Sequence, residues 1–278
     1  YGMGGFDAIC HSMATISTGG FATHNNSIIS YSPAIQWTIM VFMLLSGINF
    51  TQLIYLFRGK PERLLRDEET RWYVSACLIA GVLLAAGLFV WTGQWDSIRL
   101  GLFTSISTIT STGFVASDYM AWPPVLWMVV FFLMFPGGAS GSTAGGMKWV
   151  RMAIFAKSAR AEIQRRIHPN AVIPVRFNGR TMSETATSNI VAFMFFYVII
   201  IVLAALCFCG CGIGFDGSLG VAVSMIGNVG VSIGQWGSSG CYAAFPPVAK
   251  WVATFVMLIG RLEIFTVLLL FSRALWKK

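Results

Sequence analysis

Long apolar runs alternate with short polar stretches along this chain of 278 residues. A helix needs about 20 mainly apolar residues to cross the hydrocarbon of a bilayer. Runs at 34–57, 72–91, 190–208 and 248–271 meet that length, and a further one begins at 124–136. Aromatic residues mark several ends, with Trp37 and Tyr55 in the first run and Trp72 and Trp91 bounding the second. That is the interfacial belt position. The pattern therefore predicts an all-α membrane protein with five spans.

Between the spans lie three look-alike stretches. Ser12-Met13-Ala14-Thr15-Ile16-Ser17-Thr18-Gly19-Gly20-Phe21, Ser107-Thr108-Ile109-Thr110-Ser111-Thr112-Gly113-Phe114 and Ser224-Met225-Ile226-Gly227-Asn228-Val229-Gly230-Val231 recur about a hundred residues apart. Each is mildly apolar and runs into a glycine. A polar, Gly-bearing segment between two spans implies backbone that re-enters the membrane and lines a watery path. The preceding residues, 6–17, 98–108 and 219–225, are long enough for short pore helices whose negative ends would face a cation. Rings of peptide carbonyls can replace a cation's hydration shell, and glycine permits the angles this requires. Gly19, Gly113 and Gly230 are thus read as equivalent filter positions, with Thr18, Thr112, Asn228 and Val229 beside them.

Composition agrees with a membrane location. Hydrophobic residues make up 56% and charged residues 11%, against about a quarter charged in soluble domains. Mean hydropathy is +0.70. The net charge of +8 does not signify nucleic acid, because the basic residues gather in two connectors and at the C-terminus. That distribution places the connectors in the cytoplasm and the three loops toward the outside. Asp7, Asp96, Asp118 and Asp216 then lie outward, either as a cation-attracting vestibule or as ordinary surface residues and helix caps. The chain starts at Tyr1 and reads as a fragment or trimmed product.

The third run is broken by Gly137-Gly138-Ala139-Ser140-Gly141-Ser142-Thr143-Ala144-Gly145-Gly146, too glycine-rich for a good helix. Helix resumes over 150–161, past Lys148. A flexible polar strand beneath a filter suits a gate, comprising Gly138, Ser140, Gly141, Ser142, Gly145, Gly146 and Lys148. Arg261 sits within the last span, where a charge costs at least about 2.5–3.5 kcal/mol. Either Glu263 or snorkelling neutralises it structurally, or it faces the path beside the broken span and raises the barrier for cations.

These residues resemble the Trk/Ktr/HKT superfamily of potassium transporters, and most closely its bacterial TrkH branch. The resemblance rests on His11-Ser12 through Gly19-Gly20-Phe21-Ala22-Thr23-His24, Thr110-Ser111-Thr112-Gly113-Phe114, the break from Gly137 to Lys148, and Gly260-Arg261-Leu262-Glu263-Ile264-Phe265-Thr266. It implies four helix–pore-loop–helix units around a central ion pore. Residues 1–57 would be the second part of repeat two, 72–155 repeat three and 188–278 repeat four, with connectors at 58–71 and 156–187. It further implies potassium as the transported ion, an intramembrane gating loop facing Arg261, a bacterial inner-membrane location, a homodimer, and a cytosolic nucleotide-binding regulatory subunit docked near the basic connector.

Enzymatic function is not expected. Gly141 to Lys148 lacks the Gly-Lys-Ser/Thr ending of a phosphate loop. The histidines, His11, His24 and His168, show no metal-ligand spacing. His11 reads as pore-helix packing or an outer-mouth residue. A sodium- or proton-coupled transporter is the competing reading, with Glu263 as its main intramembrane carboxylate. Cys10, Cys77, Cys207 and Cys209 read as small apolar residues; Cys211 and Cys241 flank the third loop, where pairing is an open alternative to free thiols.

Overall fold

The computed structural model describes residues 2–238, 240–271 and 276. The basic residues Arg273, Lys277 and Lys278, expected on the cytoplasmic side, lie outside the described residues. The architecture repeats one plan three times. The first unit holds α1 (Gly5–Ile16), α2 (Pro33–Ser46) and α3 (Phe50–Phe57), followed by α4 (Pro61–Arg66) in the charged connector. The second holds α5 (Glu68–Thr92), α6 (Asp96–Ile109), α7 (Pro124–Leu133) and α8 (Trp149–Ile167). The third holds α9 (Glu184–Gly210), α10 (Phe215–Gly227), α11 (Pro247–Leu262) and α12 (Ile264–Leu270).

Burial separates two helix types. Over α6 every residue from Phe103 to Ile109 is buried, and over α10 every residue from Gly220 to Gly227. The long helices α5 and α9 instead expose apolar side chains, among them Ile79, Val82 and Leu83 on one and Phe195, Val198 and Leu203 on the other. Both are long and apolar enough to cross a membrane, with mean hydropathy of 2.3 and 3.1. Exposed apolar surface of this extent suits lipid, not water. The short helices α6 and α10 are therefore inner-layer helices, whereas α1, at the corresponding place, buries only His11, Ala14 and Thr15. Packing between layers is close: a Cβ at Gly101 of α6 would press on the backbone nitrogen of Ala85 in α5. Small residues allow such approach between membrane helices.

Two expected spans differ from the sequence reading. Residues 34–57 and 248–271 are not straight helices. The axis turns by 108° between α2 and α3 and by 113° between α11 and α12. The expected third span is also short, since α7 ends at Leu133. All three outgoing helices thus begin on a proline at the first helical position, which needs no amide partner, and then break. Helix restarts after Asn49, Lys148 and Glu263. Asn49 caps α3 by accepting from the Thr51 amide at 2.8 Å. Lys148 and Glu263 share a backbone shape of φ +69°, ψ 133° and φ +66°, ψ 137°. Such angles are costly outside glycine and gather where a fold is over-determined by its surroundings.

The basic connector also departs from a purely helical expectation. It carries a two-residue β-hairpin, β1 (Arg176–Phe177) and β2 (Arg180–Thr181), with Phe177 opposite Arg180. Asn178 and Gly179 form its turn with φ +48° and +74°, the left-handed pair that tight hairpins favour.

Candidate functional site

Three loops leave the C-terminal ends of α1, α6 and α10 by the same hydrogen-bond scheme. In the first, Thr18 N donates to Thr15 O and Gly19 N to Ala14 O, at 3.2 and 2.8 Å. In the second, Ser111 N donates to Thr108 O and Thr112 N to Ser107 O, at 3.1 and 3.0 Å. In the third, Asn228 N donates to Met225 O and Val229 N to Ser224 O, at 3.2 and 2.9 Å. Left-handed residues fall at matching places. Thr18, Ser111 and Asn228 have φ of +51°, +51° and +54°, and two residues later Gly20, Gly113 and Gly230 have +66°, +79° and +91°.

This register corrects one equivalence. Gly20, not Gly19, lies level with Gly113 and Gly230, while Gly19 matches Thr112 and Val229. The double glycine concealed the offset, and only the backbone angles resolve it.

The loops also meet one another. A Cβ at Gly20 would overlap the Thr112 carbonyl oxygen, and one at Gly113 would overlap the Val229 carbonyl oxygen. Each glycine therefore rests on the peptide group of the following loop at the equivalent position. Bulk at either glycine would part the two backbones. Hydroxyls brace the turns: Ser107 Oγ donates to Phe114 O at 2.7 Å, and Thr110 and Thr112 hydroxyls lie 2.7 Å apart.

Beneath the loops runs the glycine-rich segment between α7 and α8, pinned at several points. Thr143 Oγ1 donates to Ile16 O, the end of α1, at 2.9 Å, and Gly145 N donates to Ser111 Oγ at 2.5 Å. A Cβ at Gly145 would overlap the Gly227 carbonyl, the end of α10. All three short helices thus direct their negative ends toward residues 143–145. The α2–α3 break holds the other flank. Ala139 N donates to Gly47 O at 2.9 Å, and Phe50 N to Gly141 O at 3.2 Å.

Cations lie around the same segment. Arg261 Nη1 donates to Thr143 O at 2.8 Å, and Lys148 Nζ donates to Ala144 O. Glu263 does not pair with Arg261. Its carboxylate bonds Arg151 Nη2 at 2.8 Å, and Arg151 stacks over the Phe193 ring at 4.1 Å. A cavity of about 260 Å³ opens among Ser142, Gly145, Lys148, Arg151, Arg261 and Glu263. The sequence reading missed Glu69, which is buried and accepts from Ser140 N at 2.5 Å and Val150 N at 3.2 Å. It also missed Thr143 as a bridge.

On the opposite side, Asp7, Asp96 and Asp216 occupy the first turns of α1, α6 and α10, where a carboxylate complements the helix dipole. Asp118 accepts from Met120 N at 3.0 Å. Hydrogen bonding, first from Thr23, holds the Asp7 carboxyl below its ordinary pKa. His11 is buried, stacked on Phe114 and edge-on to Tyr31, which agrees with the packing alternative of its two readings. Cys211 and Cys241 are free thiols.

Three short helix–loop arms set among long apolar helices define a helical membrane protein built on a repeated plan. The chain belongs to the TrkH family of cation transport proteins, whose profile matches residues 2–93 and 92–278. It is 34% identical to the Trk system potassium uptake protein TrkI of Halomonas elongata, over 100% of this chain and 57% of that protein. It is 32% identical to the Trk system potassium uptake protein TrkH of Escherichia coli (strain K12), over 100% of this chain and 58% of that protein. The crystal structure of the potassium transporter TrkH from Vibrio parahaemolyticus matches with a TM-score of 0.94 at 30% identity, covering 99% of this chain and 60% of that one. The chain thus spans less than two thirds of the length of these relatives.

Proposed function

We propose that this chain forms most of a potassium uptake pathway, with the three loops contributing to a carbonyl-lined filter and residues 138–148 forming the gate. The carrying observation is the shared loop register, in which Gly20, Gly113 and Gly230 take equivalent left-handed positions and the first two lean on the next loop's peptide. Equivalent peptide oxygens around one axis can exchange with a cation's hydration water without adding fixed charge. Thr18, Gly19, Thr112, Asn228 and Val229 belong to the same turns and set their shape. The relatives' names supply potassium as the ion.

The closed gate, in this reading, is the pinned segment from Gly138 through Ser140, Gly141, Ser142, Gly145 and Gly146 to Lys148. Arg261 holds it through Thr143 O and adds a positive barrier. Charge distribution favours an inner-membrane orientation with the filter loops outward. The family resemblance adds a homodimer and a cytosolic nucleotide-binding subunit, for which the basic face of α8 is a suitable dock.

Reconstitution of the complete protein into liposomes tests this. Rubidium or potassium flux should exceed sodium flux and should run down the electrochemical gradient without stoichiometric proton or sodium movement. Obligatory co-movement of sodium or protons would replace the channel-like reading with the coupled one. Absence of potassium-selective flux would end the proposal.

A further inference from the structure

The N-cap and first turn of α5 carry three consecutive carboxylates, two directed to the hairpin and α8 and one to the glycine-rich segment. Asp67 caps the helix, accepting from Thr70 N at 2.8 Å, and also accepts from Asn178 Nδ2 at 2.9 Å. Glu68 pairs with Lys157 of α8 and exchanges hydrogen bonds with Asn178 in the hairpin turn: Glu68 N donates to Asn178 Oδ1 at 2.7 Å, and Asn178 N donates to Glu68 Oε2 at 3.0 Å. Glu69 alone turns inward and is 6% exposed. Its Oε1 accepts from Ser140 N and from Val150 N.

Those two amides bracket the glycine-rich segment. Ser140 lies near its start, and Val150 is the second residue of α8, where helix resumes. One oxygen thus closes the segment into a loop whose two ends are tied to the same point on a membrane-crossing helix. Burying a carboxylate is expensive unless donors satisfy it, and hydrogen bonds to a charged acceptor are the stronger kind. The positive end of α8 adds to the attraction. Elsewhere the segment is held by backbone groups, by hydroxyls and by the Arg261 and Lys148 side chains. Glu69 is the only carboxylate that the described hydrogen bonds place on it.

We propose that Glu69 is a positioning residue for the gate, holding the intramembrane segment in its closed arrangement by clamping the amides of Ser140 and Val150. This rests on the reading of residues 138–148 as the gate. Because Glu68 and Asp67 bind α8 and the hairpin, the same helical turn also links the clamp to the cytoplasmic face. A displacement of the hairpin or of α8 would reach the clamp without crossing the filter.

The test uses the complete protein with Glu69→Gln, Glu69→Ala and Glu69→Leu, and Arg261→Ala in parallel. Ion flux per folded molecule is measured together with hydrogen exchange at the Ser140 and Val150 amides. Glu69→Gln retains an oxygen acceptor and should keep both amides protected and the flux near its original level. Glu69→Ala and Glu69→Leu should speed exchange at both amides by about tenfold or more and raise flux. The leucine variant preserves bulk, so a general packing defect would separate it from alanine. Unchanged exchange and flux in both would overturn the clamp, and if Arg261→Ala still raised flux the gate would stand without it. Faster exchange with unaltered flux in every variant, Arg261→Ala included, would overturn the gate reading and this inference together.

Discussion

A single added methyl group distinguishes the two glycines that the sequence leaves adjacent. Alanine at position 20 must hold φ near +66°, and at position 113 near +79°. Left-handed backbone costs an L-residue about 1–2 kcal/mol. Steric overlap then dominates. A Cβ at Gly20 would lie 1.7 Å from Thr112 O, and one at Gly113 would lie 2.1 Å from Val229 O. Real Cβ contacts essentially never fall below 3.0 Å, so these carbonyls must retreat by about 1.3 Å and 0.9 Å respectively. In the proposed filter, an oxygen displaced so far would no longer stand in for hydration water. Gly19→Ala is different, because its Cβ would meet only side-chain atoms, Ser17 Oγ at 3.2 Å and the Phe21 ring at 3.3 Å. Rubidium uptake by the complete protein, normalised to the amount in the membrane, should fall more than about tenfold for Gly20→Ala and Gly113→Ala, equivalent to more than 1.4 kcal/mol. For Gly19→Ala it should stay within about twofold, a few tenths of a kcal/mol on the same scale. Gly230→Ala should bear at least the backbone penalty of its φ of +91°, since among the described residues nothing lies within 4 Å of its Cβ. Equal damage from Gly19→Ala and Gly20→Ala would refute the register and the reasoning built on it.

Other expectations concern the gate and the core. Arg261→Ala removes the bond to Thr143 O and should raise flux; unchanged flux would mark a structural arginine. Thr143→Val loses the tie to Ile16 O and should also raise flux, whereas unaltered flux with poorer expression would assign it to folding. Tyr73→Phe deletes a hydroxyl that donates to Leu44 O at 3.0 Å from a fully buried ring. It should lower thermal stability by about 1 kcal/mol. Tyr197→Phe is its control, because the buried Tyr197 hydroxyl has no hydrogen-bond partner among the described residues and its removal should be neutral or stabilising in the same melting assay.

Much of the inner layer was legible because the three Ser/Thr-Gly stretches repeat a chemical pattern that spans do not otherwise carry. The broken third helix was equally legible, since Gly137 to Gly146 cannot sustain a helix. The breaks at 47–49 and at Glu263 were not. Apolar residues continue on both sides of them, and their cause is tertiary: Gly47 O and Gly141 O are engaged across the interruption, and Glu263 turns toward Arg151. Glu69 was hidden among Asp67 and Glu68, where three acids beside basic residues look like one solvated run. Only packing separates the inward carboxylate from its neighbours. Arg261 stood out as a membrane charge, but its carbonyl partner lies more than a hundred residues away.

The contact between successive loops runs one way, like overlapping roof tiles. The first leans on the second through Gly20, and the second on the third through Gly113. Crowding at Gly20 therefore presses on the second loop, and crowding at Gly113 on the third. A change of backbone at either seam must therefore be matched by its neighbour, which ties the shapes of successive arms together.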